Sequence, residues 1–322
     1  MTTTIIPVAG GKGGVGKSFV AANLAVALAR RGYRTIAVDL DLGNSNLHTL
    51  LGLENRNPGI GDFLKGSLQS APTELVVETS VAGLGFIPGD GRTPFMANIT
   101  YLQKRKIIRF IQSLEAQYVL LDLSAGTAFN TLDFFQIGSS GIVVTTPEHP
   151  AVMSSLVFVK NLVLRAIDES LRKSPQLKER LSEMQKQGIN APVFTVSAFR
   201  DQVSETAPEA AEKINEICRR IRPRFVYNMM ESTTDTEVFA SIDQTLADVL
   251  SIGCDHLGVI PYDPKVRQFL RQPGIFQIEQ SESVLAETID RLARRVINFW
   301  DMPLEGSAEL LADYATETLS IS

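Results

Sequence analysis

Short apolar runs alternate along most of this chain with longer segments in which apolar residues recur every three or four positions. Short continuous runs are typical of strands buried on both faces, and the longer spacing is typical of amphipathic helices. The alternation predicts an α/β fold, a doubly wound, mostly parallel sheet with helices on both faces. We predict strands at 4–9, 35–38, 84–87, 118–121, 141–145, 224–227 and 257–259. The clearest predicted helices are 17–31, 101–115, 150–171, 236–250 and 282–300.

One segment interrupts this alternation. Between the helix 150–171 and the strand 224–227 lie about fifty residues, where a short connection would suffice. We predict a largely helical insertion at about 168–222 within a domain that covers 1–300. Residues 170–224 contain eleven lysines and arginines against seven aspartates and glutamates, a local charge of +4 in a chain of −5.

The last segment, 301–322, is predicted to be an acidic C-terminal tail. It contains no lysine or arginine, and its acidic residues recur at every fourth position from Asp301 to Glu317. Anionic lipid would repel such a stripe, so membrane anchoring by the tail is not favoured. Two alternatives stay open at this point: a solvated, partly disordered end, or docking onto a basic surface such as the insertion.

Composition narrows the class of protein. With 322 residues and 44% hydrophobic content, the chain can bury a large core. Its net charge of −5 argues against chain-wide attraction to nucleic acid, which stays possible only through a local patch. The chain has two distant cysteines and no signal-peptide pattern, and no uninterrupted apolar stretch could span a bilayer. These features predict a cytoplasmic protein.

A glycine-rich loop follows the first predicted strand. Gly11 to Ser18 match the Walker A pattern G-x-x-x-x-G-K-S, with a strand before the loop and a helix after it. In such a loop the backbone amides surround phosphate oxygens, the lysine reaches the β- and γ-phosphates, and the serine hydroxyl ligates Mg²⁺. The alternative is a glycine-rich turn that only caps the helix.

Three carboxylates follow predicted strands. Asp39 and Asp41 come at the end of the second strand, and Asp122 follows the run 118–121. The carboxyl edge of an open parallel sheet is where such folds bind ligands. One of these acids could bind a metal ion while another orients an attacking water. The alternative for each is that it caps a helix or a loop.

These segments resemble one known family. The string Lys12-Gly13-Gly14-Val15-Gly16-Lys17-Ser18, with its early lysine, is similar to the deviant Walker A motif of MinD/ParA-class P-loop ATPases. Residues 39–47 and 122–126 resemble the two switch segments of that class. Residues 46–53 and 144–148 look closest to its MinD and FlhG branch.

The resemblance implies a homodimer formed face to face around two ATP molecules, with Mg²⁺ and ATP as cofactors. It implies catalytic roles for Lys12 across the dimer, Lys17 on the β/γ-phosphates and Asp41 on the attacking water. Ser18, Asp39 and Asp122 would hold Mg²⁺, the two aspartates mainly through water. The implied nucleotide contacts are Gly11, Gly13, Gly14, Val15, Gly16, Lys17, Ser18 and Phe19 at the phosphates, with Asn228, Pro261 and Asp263 on the adenine side.

By this resemblance the chain is expected to be a Mg-dependent ATPase. It would hydrolyse ATP slowly and position or regulate a cellular structure by recruiting an unidentified partner or activator in the ATP state. Two alternatives stay open: a nucleotide-stabilised scaffold with little hydrolysis, and a ParA-like partitioning ATPase that contacts DNA through the basic insertion. Because His48, His149 and His256 lie in separate segments, we expect no metal site besides that of Mg²⁺.

Overall fold

The structure is a computed structural model that describes residues 3–66, 72–89, 98–185 and 195–319. Among these residues the strands form one sheet in the order β3-β4-β2-β5-β1-β6-β7-β8, in which β3 pairs antiparallel with β4 and the other neighbours pair in parallel. The strands are β1 (Thr4–Ala9), β2 (Thr35–Leu40), β3 (Val77–Glu78), β4 (Leu84–Ile87), β5 (Tyr118–Leu123), β6 (Ile142–Thr145), β7 (Arg224–Met230) and β8 (Asp255–Pro261). The predicted doubly wound, mostly parallel sheet is confirmed.

Helices cover both faces of the sheet. They are α1 (Lys17–Arg30), α2 (Leu47–Leu50), α3 (Ile60–Lys65), α4 (Tyr101–Gln112), α5 (Phe129–Phe135), α6 (His149–Ser170), α7 (Pro175–Gln185), α8 (Val196–Thr206), α9 (Pro208–Arg220), α10 (Glu237–Thr245), α11 (Pro264–Phe269), α12 (Phe276–Glu279), α13 (Val284–Phe299) and α14 (Ser307–Leu319). A π-helical turn, Leu246–Leu250, continues α10.

Two apolar clusters lie on opposite sides of the sheet. In β5, Val119 and Leu121 belong to one cluster while Leu120, between them, belongs to the other, because successive strand side chains point to opposite faces. Helices α1 and α13 cover the second face, where they pack against each other. Burial on both faces explains why the central strands read as continuous apolar runs.

Helix α6 lies in the first of these clusters. By length and composition it could cross a membrane, although Lys160 and Arg165 interrupt its apolar residues, so it is not an uninterrupted apolar stretch. However, 67% of its most apolar window is buried inside the fold. Packing against β6 and α9 accounts for its composition.

Helices α7, α8 and α9 occupy the described part of the segment predicted to be an insertion. The bounds of that insertion, and of the 1–300 domain, stay a prediction. In the tail, α14 packs on β8 and α10 and buries Leu311 and Ala315 completely. A solvated, partly disordered end is therefore wrong for residues 307–319, and the surface that receives this helix is the apolar side of the sheet.

Candidate functional site

The glycine-rich loop leaves β1 at the carboxyl edge of the sheet and enters α1. A Cβ atom on Gly11 would lie 1.9 Å from the carbonyl oxygen of Ser154 in α6, so the loop touches the α6 backbone there. Gly14 and Gly16 have φ angles of 87° and 89°, a region that side-chain-bearing residues rarely adopt. These glycines fold the loop back over the N-terminus of α1, where the free amide groups favour an anion.

The two lysines of the loop differ in exposure. Lys17 is the first residue of α1 and is buried, although its ammonium group is costly to bury without a compensating charge. Lys12, by contrast, is exposed on the outer side of the loop. The fold therefore directs Lys17 into the site and leaves Lys12 exposed to solvent.

Asp39 and Asp122 are partners in the register between β2 and β5. Both are buried, and both lie on the α1 side of the sheet, because their neighbours Val38 and Leu121 belong to the opposite cluster. Asp39 accepts hydrogen bonds from the backbone amides of Asp41 (3.0 Å) and Leu47 (3.1 Å). Burial, and then repulsion from Asp122, raise the pKa of Asp39 well above its usual value.

Asp122 differs from Asp39 in its hydrogen bonding. Within the described residues neither of its carboxylate oxygens accepts a well-formed hydrogen bond, although both are buried. Burial raises the pKa of Asp122 to about 7, even though neighbouring Ser18 and Lys17 act to lower it. A buried carboxylate that lacks a well-formed hydrogen bond, beside a hydroxyl group and a phosphate loop, fits a divalent cation, whose charge would compensate the cost of burial.

The loops that follow β2 and β5 are joined at the site. Ser124 donates a hydrogen bond of 2.9 Å to the carboxylate of Asp41, and the amide of Gly126 donates to the carbonyl of Gly10 (3.1 Å). Asp41 is partly exposed to the cleft. Its carboxylate therefore lies in an orientation set by the neighbouring loop.

The end of β7 closes the other side of the phosphate loop. The buried side chain of Asn228 donates a hydrogen bond of 2.9 Å to the carbonyl of Val15. Met229, which follows it, has a φ of 59° and lies where the pairing of β7 with β8 shifts register. Asp263, after β8, accepts from the amide of Lys265 (2.8 Å) and so caps α11.

These segments surround one cleft of about 650 Å³. Ten of the site residues expected from the sequence line it: Gly13, Gly14, Gly16, Lys17, Ser18, Phe19, Asp41, Asn228, Pro261 and Asp263. Gly11 and Val15 form the inner side of the loop, Asp39 and Asp122 lie beneath it in the sheet, and Lys12 lies outside the cleft.

Sequence reasoning missed one wall of this cleft. Val266, Arg267 and Leu270 of the α11 region line it together with Leu285 of α13. The signal that could have found them is weak. Proline follows Asp263 at the start of a short helix, and Val266 and Leu270 are spaced to share one face.

Several known proteins are similar to this chain. The antiactivator FleN of Pseudomonas aeruginosa is 28% identical over 304 residues, which cover 93% of this chain and 88% of FleN. The flagellum site-determining protein YlxH of Helicobacter pylori is 30% identical over 162 residues, 49% of this chain and 53% of YlxH. The chain spans about half the length of the curated septum site-determining MinD relatives that it matches.

The fold agrees with these similarities. MinD of Pyrococcus horikoshii, solved with Mg-ADP, superposes with a TM-score of 0.59 at 21% identity, covering 92% of this chain and 96% of that one. Residues 6–272 match the family described as the CobQ/CobB/MinD/ParA nucleotide binding domain. The resemblance to the MinD/ParA class is thereby confirmed, and this chain belongs to that family of P-loop ATPases.

Proposed function

We propose that this chain binds Mg-ATP in the cleft, dimerises in the ATP state and hydrolyses ATP slowly. In this proposal it positions or regulates a cellular structure through partners that recognise the dimer. Relatives named for determining septum or flagellum sites support such a role. A structure of MinD with Mg-ADP supports the choice of nucleotide and metal.

The buried carboxylate of Asp122, which accepts no well-formed hydrogen bond within the described residues, is the observation that carries this proposal. It lies beside Ser18 and Lys17, at the loop that would hold the phosphates. Ser18 and Asp122 would hold Mg²⁺, and Asp39 would contribute its charge mainly through water, because both of its oxygens already accept backbone hydrogen bonds. A bound Mg²⁺ supplies charge neutralisation at the phosphate oxygens.

Each side chain of the site has a distinct task in this proposal. The loop amides and the buried Lys17 bind the β- and γ-phosphates. Asp41, oriented by Ser124, positions the water that attacks the terminal phosphate. Lys12 is exposed to solvent, which is compatible with a side chain that reaches the nucleotide of a second protomer.

Asp41→Ala tests the hydrolysis step. We expect the variant to bind ATP as tightly as wild type but to release phosphate at least roughly 100-fold more slowly, because water positioning is lost. Phosphate release and nucleotide affinity are measured on the same preparations. Equal rates in the variant and the wild type would contradict the enzymatic assignment and favour a scaffold.

The two lysines of the loop provide a matched pair for the dimerisation step. Lys12→Ala should retain nucleotide affinity but remain monomeric in sedimentation with a non-hydrolysable ATP analogue. Lys17→Ala should lose roughly tenfold to a hundredfold in affinity, because a charge-assisted contact is removed. If Lys12→Ala dimerises as tightly as wild type, the face-to-face dimer is wrong for this chain.

A further inference from the structure

Three side chains with metal-ligand chemistry meet on the side of the sheet opposite α1. Asp243 lies in α10, Cys254 directly precedes β8, and His256 lies in β8. The Asp243 Oδ1 atom is 2.9 Å from Cys254 Sγ and 3.0 Å from His256 Nε2, and Sγ is 3.8 Å from Nε2. The spacing of histidines in the sequence did not predict this cluster.

Local structure brings these three groups together. Cys254 and His256 are two residues apart on an extended segment and therefore face the same side, toward α10. Asp255, between them, faces away and pairs with Arg222 at 2.7 Å. After α10 the chain reverses direction through the π-helical turn and Ser251, whose φ of 56° is left-handed. This reversal places Asp243 over the start of β8.

The imidazole ring of His256 is held in one orientation. Tyr227 places its hydroxyl group 2.7 Å from Nδ1, and the two rings stack with 10° between their planes. Phe239 packs against the ring from α10. Nε2 is thereby directed at Asp243 and Cys254, the arrangement in which a partner on the other nitrogen orients a metal-binding histidine.

The distances within the cluster are close to those of a tetrahedral zinc site. Zinc bonds of 2.0–2.3 Å to sulfur, nitrogen and oxygen separate neighbouring ligand atoms by about 3.4–3.6 Å. The observed separations between the three ligand atoms are 2.9–3.8 Å. Small rotations of the side chains would bring them into the range of a zinc site. Asp243 is 43% exposed, so the cluster has a path to solvent, from which a water ligand could come.

We propose that Asp243, Cys254 and His256 bind Zn²⁺, with water as the fourth ligand. Thiolate and imidazole ligands favour zinc over Mg²⁺, which prefers oxygen. Burial and the adjacent carboxylate raise the pKa of the Cys254 thiol, and a bound divalent cation acts against both effects. The ion would link α10 to β8 at the end of the strand remote from the nucleotide cleft.

Metal titration of the full-length chain tests the proposal. After chelator treatment, Co²⁺ should bind at one equivalent per chain with the near-ultraviolet charge-transfer absorption of a cobalt–thiolate bond, and Zn²⁺ should displace it. A millimolar excess of Mg²⁺ should not displace the bound Co²⁺. Cys254→Ser should abolish the absorption, and Asp243→Asn should weaken Co²⁺ affinity at least about tenfold.

The chain offers a matched control in its other cysteine. Cys218 is also buried but lies outside the cluster, so Cys218→Ser should bind Co²⁺ like wild type. If Cys254→Ser does not fold, Asp243→Asn decides: at the same Zn²⁺ concentration the melting temperature should rise less for the variant than for wild type. A wild-type chain without the thiolate absorption would overturn the proposal and leave a hydrogen-bond network around a core histidine.

Discussion

At the scale of single residues, Asp39 and Asp122 show how two equivalent positions acquire different properties. They are register partners on neighbouring strands, and both are buried. The backbone of the following loop satisfies Asp39, whereas Asp122 retains unsatisfied oxygens in the described structure. A buried carboxylate with unsatisfied oxygens lowers the stability of the folded chain. Such a cost is found at functional sites, where a bound ligand compensates it.

The pH dependence of stability should reveal this cost. Because burial raises the pKa of Asp122 from 3.8 to about 7, the folded state binds more protons than the unfolded state between these values. The free energy of unfolding should therefore fall as the pH rises from 5 to 7. The free energy of unfolding of Asp122→Asn should fall less over the same range, because the variant lacks this titrating group. It also lacks the repulsion that, after burial, raises the pKa of Asp39.

Chemical denaturation at pH 5, 6 and 7, with chelator and without nucleotide, measures this difference. Repeating the series with Mg-ATP provides the control, because a bound cation should flatten the wild-type curve. Identical slopes for wild type and Asp122→Asn would show that Asp122 does not titrate in this range.

At the scale of elements, the acidic tail helix α14 is part of the folded domain. Its exposed side carries Glu309, Asp313 and Glu317, and its inner side meets β8. Arg291 of α13 lies over the ring of Tyr314, at 4.3 Å from its centre. The spacing that reads as an acidic stripe is therefore the solvent side of an amphipathic helix.

Two adjacent leucines test this packing. Leu311 is fully buried and Leu310 is 61% exposed. Leu311→Ala should lower the free energy of unfolding by about 2–5 kcal/mol, because it leaves a cavity. Leu310→Ala should change it by about 0.5 kcal/mol or less. Similar values for both variants, from urea denaturation, would mean that α14 is not docked in solution.

Much of the fold could be predicted from the sequence, because buried strands and amphipathic helices carry strong periodicity. All seven predicted strands occur, with ends shifted by at most three residues. The strand β3 was missed, since two residues, Val77–Glu78, are too short for a pattern. The predicted helix 236–250 divides at Thr245, where a π-helical turn replaces regular α-geometry.

The site was predictable only where the chemistry has a sequence motif. The phosphate loop and the acids after β2 and β5 could be predicted to lie together, because the ends of parallel strands meet at one edge of the sheet. The wall formed by Val266 and Leu270 has no such motif, because apolar residues on a short helix are typical of a core as well. The cluster of Asp243, Cys254 and His256 depends on a turn that the sequence did not predict.

At the scale of the whole molecule, the location of the tail bears on membrane binding. Leu311 and Ala315 face the sheet, and the exposed side of α14 carries Glu309, Asp313 and Glu317, with Leu310 as its large exposed apolar residue. We expect anionic liposomes to retain no more protein than zwitterionic liposomes in flotation assays, with or without ATP. Enrichment on anionic liposomes that requires ATP would contradict this expectation.

The docking of the tail also matters for β8, which lies at one end of the sheet. An edge strand offers unpaired backbone groups to which a strand of another molecule can add, the first step of aggregation. Here the amide of His256 donates to the Ser307 hydroxyl group (3.0 Å), and Arg295 donates to the carbonyl of Leu257 (2.9 Å). Ser307 lies after Trp300, whereas Arg295 lies before it, so removing the tail would free the His256 amide and expose the side of β8 on which α14 packs. A chain that ends at Trp300 should form larger particles on concentration, which light scattering would detect.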